Sequence, residues 1–397
     1  MKNKKNSLIS YFIKNEYFSG LLLLFCTILA LIIANSKFAS AYNHVLHEYL
    51  TIGYKEFSIS MSVIHWINDG LMVIFFFVVG MEIKRELVIG ELKSLKKAIL
   101  PISAAIGGMI VPAVIYMLFN YKEPTSSGWG IPMATDIAFA IAILSLVGKK
   151  APKGIVVFLT ALAIVDDLGA ILVIAIFYTN QINFGALCIG IITLIGLIIV
   201  GRFKVKYKSI YIIGGLILWF SFLKSGIHAT IAGVLLGMVL PVGKKPDEFK
   251  TSMLYKFEHM LTPWSSLVIM PIFALANSGI NIDINSFSGI IFTPVSLGII
   301  FGLIMGKQIG IFSISYILIK LKIAKLPSHV TKRHLYGASV LGGIGFTMSL
   351  FISSLTFSSD IDLLTAKTSI LCASIISAVL GTIVFMFIGI KEKVKRV

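Results

Sequence analysis

Hydrophobic residues along the chain form long runs, and charged residues or clusters of glycine and proline separate one run from the next. Most runs approach the roughly 20 residues that an α-helix needs to cross the hydrocarbon core of a bilayer. The pattern therefore predicts an all-α integral membrane protein. Its twelve transmembrane helices are predicted near residues 17–35, 65–85, 96–119, 130–147, 154–178, 183–200, 208–222, 226–240, 257–277, 294–319, 335–355 and 364–389.

Composition agrees with the pattern. Of 397 residues, 57% are hydrophobic and 13% are charged, against about 45–50% and about 25% in soluble proteins. No polar stretch is long enough for a soluble domain, so residues 1–397 are predicted to form a single polytopic membrane domain. This composition excludes a soluble enzyme.

Basic residues indicate the orientation. The formal net charge is +17, and most of the 35 lysine and arginine residues lie in the two tails and in every second loop. The positive-inside rule places these segments on the cytoplasmic side, with both termini in the cytoplasm. Because topology accounts for the basic charge, the sequence gives no indication of a nucleic-acid partner.

The longest outer loop, about 36–63, contains alternating apolar and polar residues on both sides of Gly53. This alternation predicts a small extracytoplasmic β-hairpin within about 45–60. Since an isolated two-stranded hairpin is only marginally stable, we expect it to pair with a second copy of the chain and form a homodimer.

Four charged residues, Asp136, Asp166, Asp167 and Lys307, fall in the middle of predicted spans. A charge at the centre of a bilayer costs at least about 2.5–3.5 kcal/mol, so each needs a partner or a water-filled cavity. Adjacent residues point about 100° apart on a helix, so one of the two neighbouring aspartates can face Lys307 while the other faces a cation. A purely structural ion pair between helices is the alternative.

Two predicted spans, the fourth and the eleventh, are interrupted near their middles. Pro132 precedes Asp136 in the fourth, and the sequence GGIGFT at 342–347 divides the eleventh. Broken helices at corresponding places are typical of inverted-repeat transporters, so inverted repeats are predicted at about 96–178 and 294–389. Asp136 is expected to offset exposed amide groups at the crossing, and Lys307 exposed carbonyl groups.

Carboxylate oxygens without sulfur or paired histidine favour a hard cation such as Na⁺ or Li⁺. A carboxylate that binds Na⁺ also binds H⁺, so the two ions compete for one site. Such competition is sufficient for antiport if the site opens to one side at a time. We expect no cofactor and no covalent chemistry.

Several motifs together resemble the NhaA family of bacterial Na⁺/H⁺ antiporters over nearly the whole chain. They are ALAIVDDLGA at 161–170, PMATDIAF at 132–139, VGMEIKREL at 79–87, SGIHAT at 225–230 and Gly306-Lys307. The resemblance implies a secondary transporter of the bacterial inner membrane. It would extrude one Na⁺ or Li⁺ for more than one external proton, be active at alkaline pH, and serve sodium and pH homeostasis.

The resemblance also implies roles for individual residues. Asp167 would be the principal Na⁺ ligand and proton carrier, with Asp166 joining it or pairing with Lys307, and with Thr135 and Asp136 at the helix crossing. Asp69 would line the periplasmic funnel. A pH-responsive cytoplasmic entrance would comprise Glu82, Arg85, Glu86, Glu258 and His259, with His228 also linked to pH response. One position departs from better-known members, because Thr262 replaces a second histidine.

Other interpretations are also compatible with these residues. The charged residues of the entrance are also what positive-inside topology produces at ordinary helix ends, and a lone histidine such as His228 is often structural. An intramembrane aspartyl protease would need a Gly-x-Gly-Asp stretch, and a cation channel would need a repeated filter. A symporter of organic solutes with the same fold is the closest alternative.

Overall fold

The computed structural model describes residues 16–53, 58–147, 151–179, 182–243, 245–281 and 289–394. These residues are mainly helical, as predicted. The helices are Glu16–Ala34 (α1), Ala39–His47 (α2), Val63–Val88 (α3), Leu95–Phe119 (α4), Ile137–Val147 (α5), Lys153–Phe177 (α6), Phe184–Arg202 (α7), Lys208–Ser225 (α8), Thr230–Val239 (α9), Pro246–Thr251 (α10), Met253–Asn277 (α11), Pro294–Lys320 (α12), Lys332–Leu341 (α13), Phe346–Thr356 (α14) and Asp360–Val394 (α15).

Short segments of other helical types complete the list. The 3₁₀-helices are Glu91–Lys93 and Pro124–Met133, and π-helical turns lie within α3 at Trp66–Leu71, within α11 at Ser265–Ile269 and within α12 at Gly302–Gly306. A π-turn adds one residue to a helical turn, so it rotates the side chains that follow it. The turn at Gly302–Gly306 ends directly before Lys307.

Length and composition identify eight helices of the described chain that are able to cross a membrane, or up to eleven when each of three bent pairs is one span. Helix α9 lies within the window predicted at 226–240 but has only 10 residues, which is shorter than a full crossing. The count of twelve spans, the inverted repeats and the orientation of the termini therefore stay predictions. The amino-terminal tail before residue 16 lies outside the described residues.

Both predicted interruptions are present. The 3₁₀-helix Pro124–Met133 and α5 meet at an angle of 42°, and α13 and α14 meet at 41°. The first break follows Pro132 and the second contains Gly342, Gly343 and Gly345, as expected for residues that disfavour a continuous helix. The fourth predicted window began too late, at 130, because the 3₁₀-helix already starts at Pro124.

The predicted hairpin is also present as a two-stranded antiparallel sheet, with β1 at Tyr49–Ile52 and β2 at Ile59–Ser62. Tyr49 is opposite Ser62, and Ile52 is opposite Ile59. The window 45–60 was misplaced at both ends, because its first residues belong to α2 and β2 extends to Ser62. The turn at 54–57 lies outside the described residues.

By its internal contacts, the chain divides into two compact units. The first unit comprises the described parts of Met1–Phe25, Ser94–Ala170 and Ile282–Val397, and the second comprises those of Cys26–Lys93 and Ile171–Asn281. In the first unit α4 and α12 are in very close contact where Gly107 faces Gly310, since a methyl group at Gly310 would overlap the Gly107 carbonyl. This close contact fixes the part of α12 that carries Lys307.

Candidate cation site

A buried ion pair joins α6 and α12 within the first unit. Lys307 Nζ donates a hydrogen bond of 2.7 Å to Asp166 Oδ2, and neither side chain is exposed. Taking two charges out of water is costly, and breaking such a pair leaves one charge uncompensated. The pair therefore fixes the position of Asp166 relative to α12.

Asp167 follows Asp166 on α6 and points in a different direction, as the helical geometry requires. Its side chain is 6% exposed, and it lies close enough to Lys307 for an electrostatic interaction. Two carboxylates therefore share one ammonium group, and this set carries one net negative charge when all three groups are ionised. Such a site favours the binding of one additional cation, either a metal ion or a proton.

Asp136 lies at the break of the first interrupted span and binds the break of the second. Its Oδ2 accepts hydrogen bonds from the backbone N–H of Thr347, at 3.0 Å, and from the Thr347 hydroxyl. Its Oδ1 accepts the N–H of Phe139 at 3.1 Å. One carboxylate thus binds N–H groups at the amino-terminal ends of α5 and α14, where negative charge is stabilised.

The first interrupted span also donates hydrogen bonds to backbone carbonyl groups of the second. The N–H of Asp136 donates to the Ile344 carbonyl at 2.6 Å, and the Thr135 hydroxyl donates to the Gly342 carbonyl at 2.9 Å. Thr135 also lies beside the Asp166 carboxylate. The groups of the broken helices and the buried ion pair thus form one continuous polar site.

This geometry agrees with the expectation for Asp136 and differs from the expectation for Lys307. Asp136 binds exposed amide groups, as the helix ends require. The exposed carbonyl at Gly342 is bound by Thr135 rather than by Lys307, whose hydrogen bond goes to Asp166.

Sequence reasoning did not select two polar residues of the crossing. Thr347 contacts Asp136, and the Ser349 hydroxyl donates to the Ile131 carbonyl at 2.8 Å. A signal was present, because Thr347 follows the glycine-rich break much as Asp136 follows Pro132. A hydroxyl residue at a broken helix is a natural partner for unpaired backbone groups.

The second unit holds a separate group of charged residues. Arg85 forms an ion pair with Glu258 and lies 3.6 Å from Glu86. The carboxylate of Glu86 in turn accepts the N–H of Glu91 at 3.0 Å. The structure therefore brings together three of the predicted entrance residues from α3 and α11.

Glu82 and His259 occupy positions next to this group on the same two helices. Glu82 lies one turn before Glu86 on α3, and the His259 ring stacks on Tyr255 with 5.7 Å between centroids. His259 also interacts electrostatically with Glu258. Thr262, on the same helix, donates a hydrogen bond to the Glu258 carbonyl at 2.8 Å.

Asp69 and His228 form a third group, also in the second unit. Asp69 lies in the π-turn of α3, and it interacts electrostatically with His228. The Trp219 indole donates to the Asp69 carbonyl at 2.9 Å, and His228 Nε2 lies 3.0 Å from the Tyr178 carbonyl. The resemblance implies different roles for these two residues, whereas the fold makes them neighbours.

Among the described residues, no three His, Cys, Asp or Glu side chains converge in the manner of a resident metal centre. A cation at Asp166 and Asp167 would therefore be bound by two carboxylates together with neutral oxygens. Hydroxyl oxygens are suitable ligands for a hard cation, and the Thr135 hydroxyl lies beside Asp166.

Comparison with known proteins gives consistent matches. The family model described as Na⁺/H⁺ antiporter 1 matches residues 10–385. The chain is 68% identical over 394 residues to Na(+)/H(+) antiporter NhaA 1 of Clostridium beijerinckii, which covers 99% of this chain and 98% of the relative. It is 46% identical over 379 residues to Na(+)/H(+) antiporter NhaA of Pelagibacter ubique, covering 95% and 96%.

A solved structure is similar in fold. It is the sodium proton antiporter MjNhaP1 from Methanocaldococcus jannaschii, with a TM-score of 0.57 and 14% sequence identity. The match covers 93% of this chain and 92% of that chain. At this low identity the likeness concerns the architecture alone.

Proposed function

This chain belongs to the Na⁺/H⁺ antiporter 1 family, and on that premise we propose that it exchanges Na⁺ or Li⁺ for external protons at the polar site of the first unit. One observation supports this assignment above the others. Asp167 lies next to a buried Asp166–Lys307 ion pair, so the site has a carboxylate for a cation and a neighbouring pair that can respond to it.

Competition between ions follows from this arrangement. Asp167 binds either a proton or Na⁺, with Asp166 and Thr135 as further oxygen ligands. If Asp166 turns towards Na⁺, Lys307 loses its counter-charge in a buried place, and an unpaired buried ammonium group is costly. Release of a proton from Lys307 would then accompany release of the Asp167 proton, which makes the exchange electrogenic with more than one proton per Na⁺.

The remaining assignments belong to the same proposal. The protein has twelve spans, with inverted repeats at about 96–178 and 294–389, and it resides in the inner membrane of a bacterium. Both termini lie in the cytoplasm, as the positive-inside rule indicates. Asp69 lines the periplasmic funnel. The entrance comprises Glu82, Arg85, Glu86, Glu258 and His259, which together with His228 make the exchange faster at alkaline pH. The role is sodium and pH homeostasis, without a cofactor.

The proposal includes a homodimer formed through the hairpin. All four residues of β1 are exposed, and a two-stranded sheet leaves both edges open to another chain. Removal of residues 49–62 should convert a cross-linked dimer into monomers without loss of the helical fold. Monomers found with the hairpin intact would contradict this part of the proposal.

The central test measures proton gradients in everted membrane vesicles after addition of Na⁺, Li⁺ or K⁺, from neutral to alkaline pH. Wild-type protein should collapse the gradient with Na⁺ and Li⁺ but not with K⁺, more strongly at higher pH. Asp167→Asn should abolish the response, while Asp362→Asn, at the start of α15, serves as the matched control. No cation response from folded wild-type protein would favour solute symport instead.

A further inference from the structure

An open groove of about 380 Å³ lies at the carboxyl-terminal end of α15, against α12 and α13 in the first unit. Its floor is apolar, with Phe312, Val384 and Ile388 among its residues, and Lys332 and Arg333 stand at its rim. The groove is separate from the cation site, since it contains none of the aspartates. Its size is in the range of small-molecule sites, about 300–1,000 Å³.

Both charged residues that line the groove, Lys332 and Arg333, are basic. From Gly289 to Ser359 the sequence contains no aspartate or glutamate. Lys320 at the end of α12, with Lys322 and Lys325 in the connection that follows, adds further positive charge. No described carboxylate pairs with Lys332 or Arg333, and both residues are exposed.

Aromatic residues locate the groove at the depth of the membrane interface. Lys332 Nζ lies 4.6 Å from the centre of the Tyr316 ring. Tyr336 contacts Phe312 edge to face, with 5.5 Å between centroids, and its hydroxyl donates to Gln308 at 3.0 Å. Tyrosines with an apolar ring and a polar tip, beside lysine, are typical of the boundary between headgroups and hydrocarbon.

We infer that this groove binds an anionic diacyl phospholipid. Its phosphate would be bound by Lys332 and Arg333, and one acyl chain would lie along Phe312, Val384 and Phe387. An anionic phospholipid needs cations for its phosphate and apolar surface for its acyl chain, and the groove offers both. A neutral lipid would not need the cations of the rim, and a free phosphate would not need the apolar floor. The side chain of Phe387 is 62% exposed, so it is available to such a chain.

Binding is measured on the purified full-length protein by native mass spectrometry, with phosphatidylglycerol and phosphatidylcholine of identical acyl chains. Wild-type protein should retain phosphatidylglycerol at least about tenfold more tightly, since each nearby lysine or arginine contributes about 1 kcal/mol towards an anionic lipid. The K332Q/R333Q variant should lose about tenfold to thirtyfold in phosphatidylglycerol affinity and retain its phosphatidylcholine affinity. Equal retention of both lipids by wild-type protein would overturn the inference.

The K320Q/K325Q variant is the matched control, because it removes the same charge from the end of α12 and the connection that follows, at residues that do not line the groove. Its affinity for phosphatidylglycerol should stay within about twofold of wild type. An equal loss in both double variants would mean general attraction to a basic surface and would also overturn the inference.

A second measurement does not depend on variants. Phosphatidylglycerol with a photoreactive acyl chain should label α12, α13 and α15 around the groove, and excess unlabelled phosphatidylglycerol should suppress the labelling. Labelling confined to other segments would contradict the site. Both measurements report lipid binding rather than transport, so their failure leaves the proposed ion exchange untouched, and loss of exchange leaves them unaffected.

Discussion

Asp136 and Thr347 join the two broken spans, because the backbone N–H and the hydroxyl of Thr347 both donate to the same carboxylate oxygen of Asp136. The bond connects residues at the amino-terminal ends of two different helices. Neutralisation of both ends by one carboxylate makes the geometry of the crossing dependent on this pair.

Thr347→Val should therefore weaken both the fold and the exchange, whereas Thr347→Ser should retain them. A hydrogen bond to a charged group contributes about 1.5–3 kcal/mol, so we expect a lower melting temperature and roughly a tenfold loss in apparent Na⁺ affinity in vesicles. Thr356→Val is the control, since the Thr356 hydroxyl only bonds to Ile352 within its own helix. Equal behaviour of the Val variants at the two positions would contradict the role of the pair.

Lys307→Gln alone should be more harmful than Lys307→Gln combined with Asp166→Asn. The single substitution leaves both Asp166 and Asp167 without the ammonium group, and removal of one partner of a buried ion pair costs about 3–5 kcal/mol. Unfolding in detergent should show that K307Q combined with D166N is more stable than K307Q. Effects that simply add would indicate that the two groups do not interact.

The pair of Arg85 and Glu258 should affect the pH profile more than the stability. The Arg85 side chain is 31% exposed and also lies 3.6 Å from Glu86, so loss of the Glu258 charge leaves the guanidinium group with water and a second carboxylate. Glu258→Gln should therefore move the pH at half-maximal exchange with only a small change in melting temperature. The charge swap R85E/E258R should recover part of the wild-type profile, and a swap no better than the single variants would be evidence against the pairing.

Asp69 and His228 should be coupled in their effect on pH dependence. Histidine changes charge near neutral pH, and a neighbouring carboxylate responds to that change. The shifts in pH profile caused by Asp69→Asn and by His228→Gln should not add in the double variant. His47→Gln, on an exposed part of α2, should leave the profile unchanged, and additive shifts would separate Asp69 from His228.

Close contact between α3 and α9 should make glycine essential at position 233. A methyl group at Gly233 would overlap the Val73 carbonyl, whereas a methyl group at Gly196 meets nothing within 4 Å. Gly233→Ala should lower the melting temperature. Gly196→Ala should leave it unchanged or raise it, because alanine favours a helix by up to about 1 kcal/mol over glycine. A tolerated Gly233→Ala would contradict the close packing.

Periodicity and charge predicted those parts of the fold that depend on residues close together in the sequence. Apolar runs revealed the long helices, Pro132 and the glycines at 342–345 revealed the breaks, and Gly53 indicated the hairpin. The short helix α9 was harder, because hydropathy alone does not distinguish a 10-residue helix from a full crossing. The two compact units depend on contacts between distant segments, which no local pattern encodes.

The candidate site could likewise be predicted only in part. The aspartates and Lys307 were conspicuous because a charge in an apolar run is unusual. Thr347 was not, since a threonine in a helix of serines and apolar residues has no special cost until its partner is known. The proximity of Asp69 and His228 was equally hidden, because about 160 residues separate them in the sequence.

The crossing of the broken spans also has a consequence for how the protein is made. Asp136 leaves the ribosome 211 residues before Thr347, and at about 5–20 residues per second this amounts to roughly 10–40 s. During that interval the first broken helix is already synthesised, yet its permanent partners do not exist. The insertion machinery, water or an earlier helix must therefore bind the unpaired backbone N–H and C=O groups of this broken helix until the second half of the chain is made.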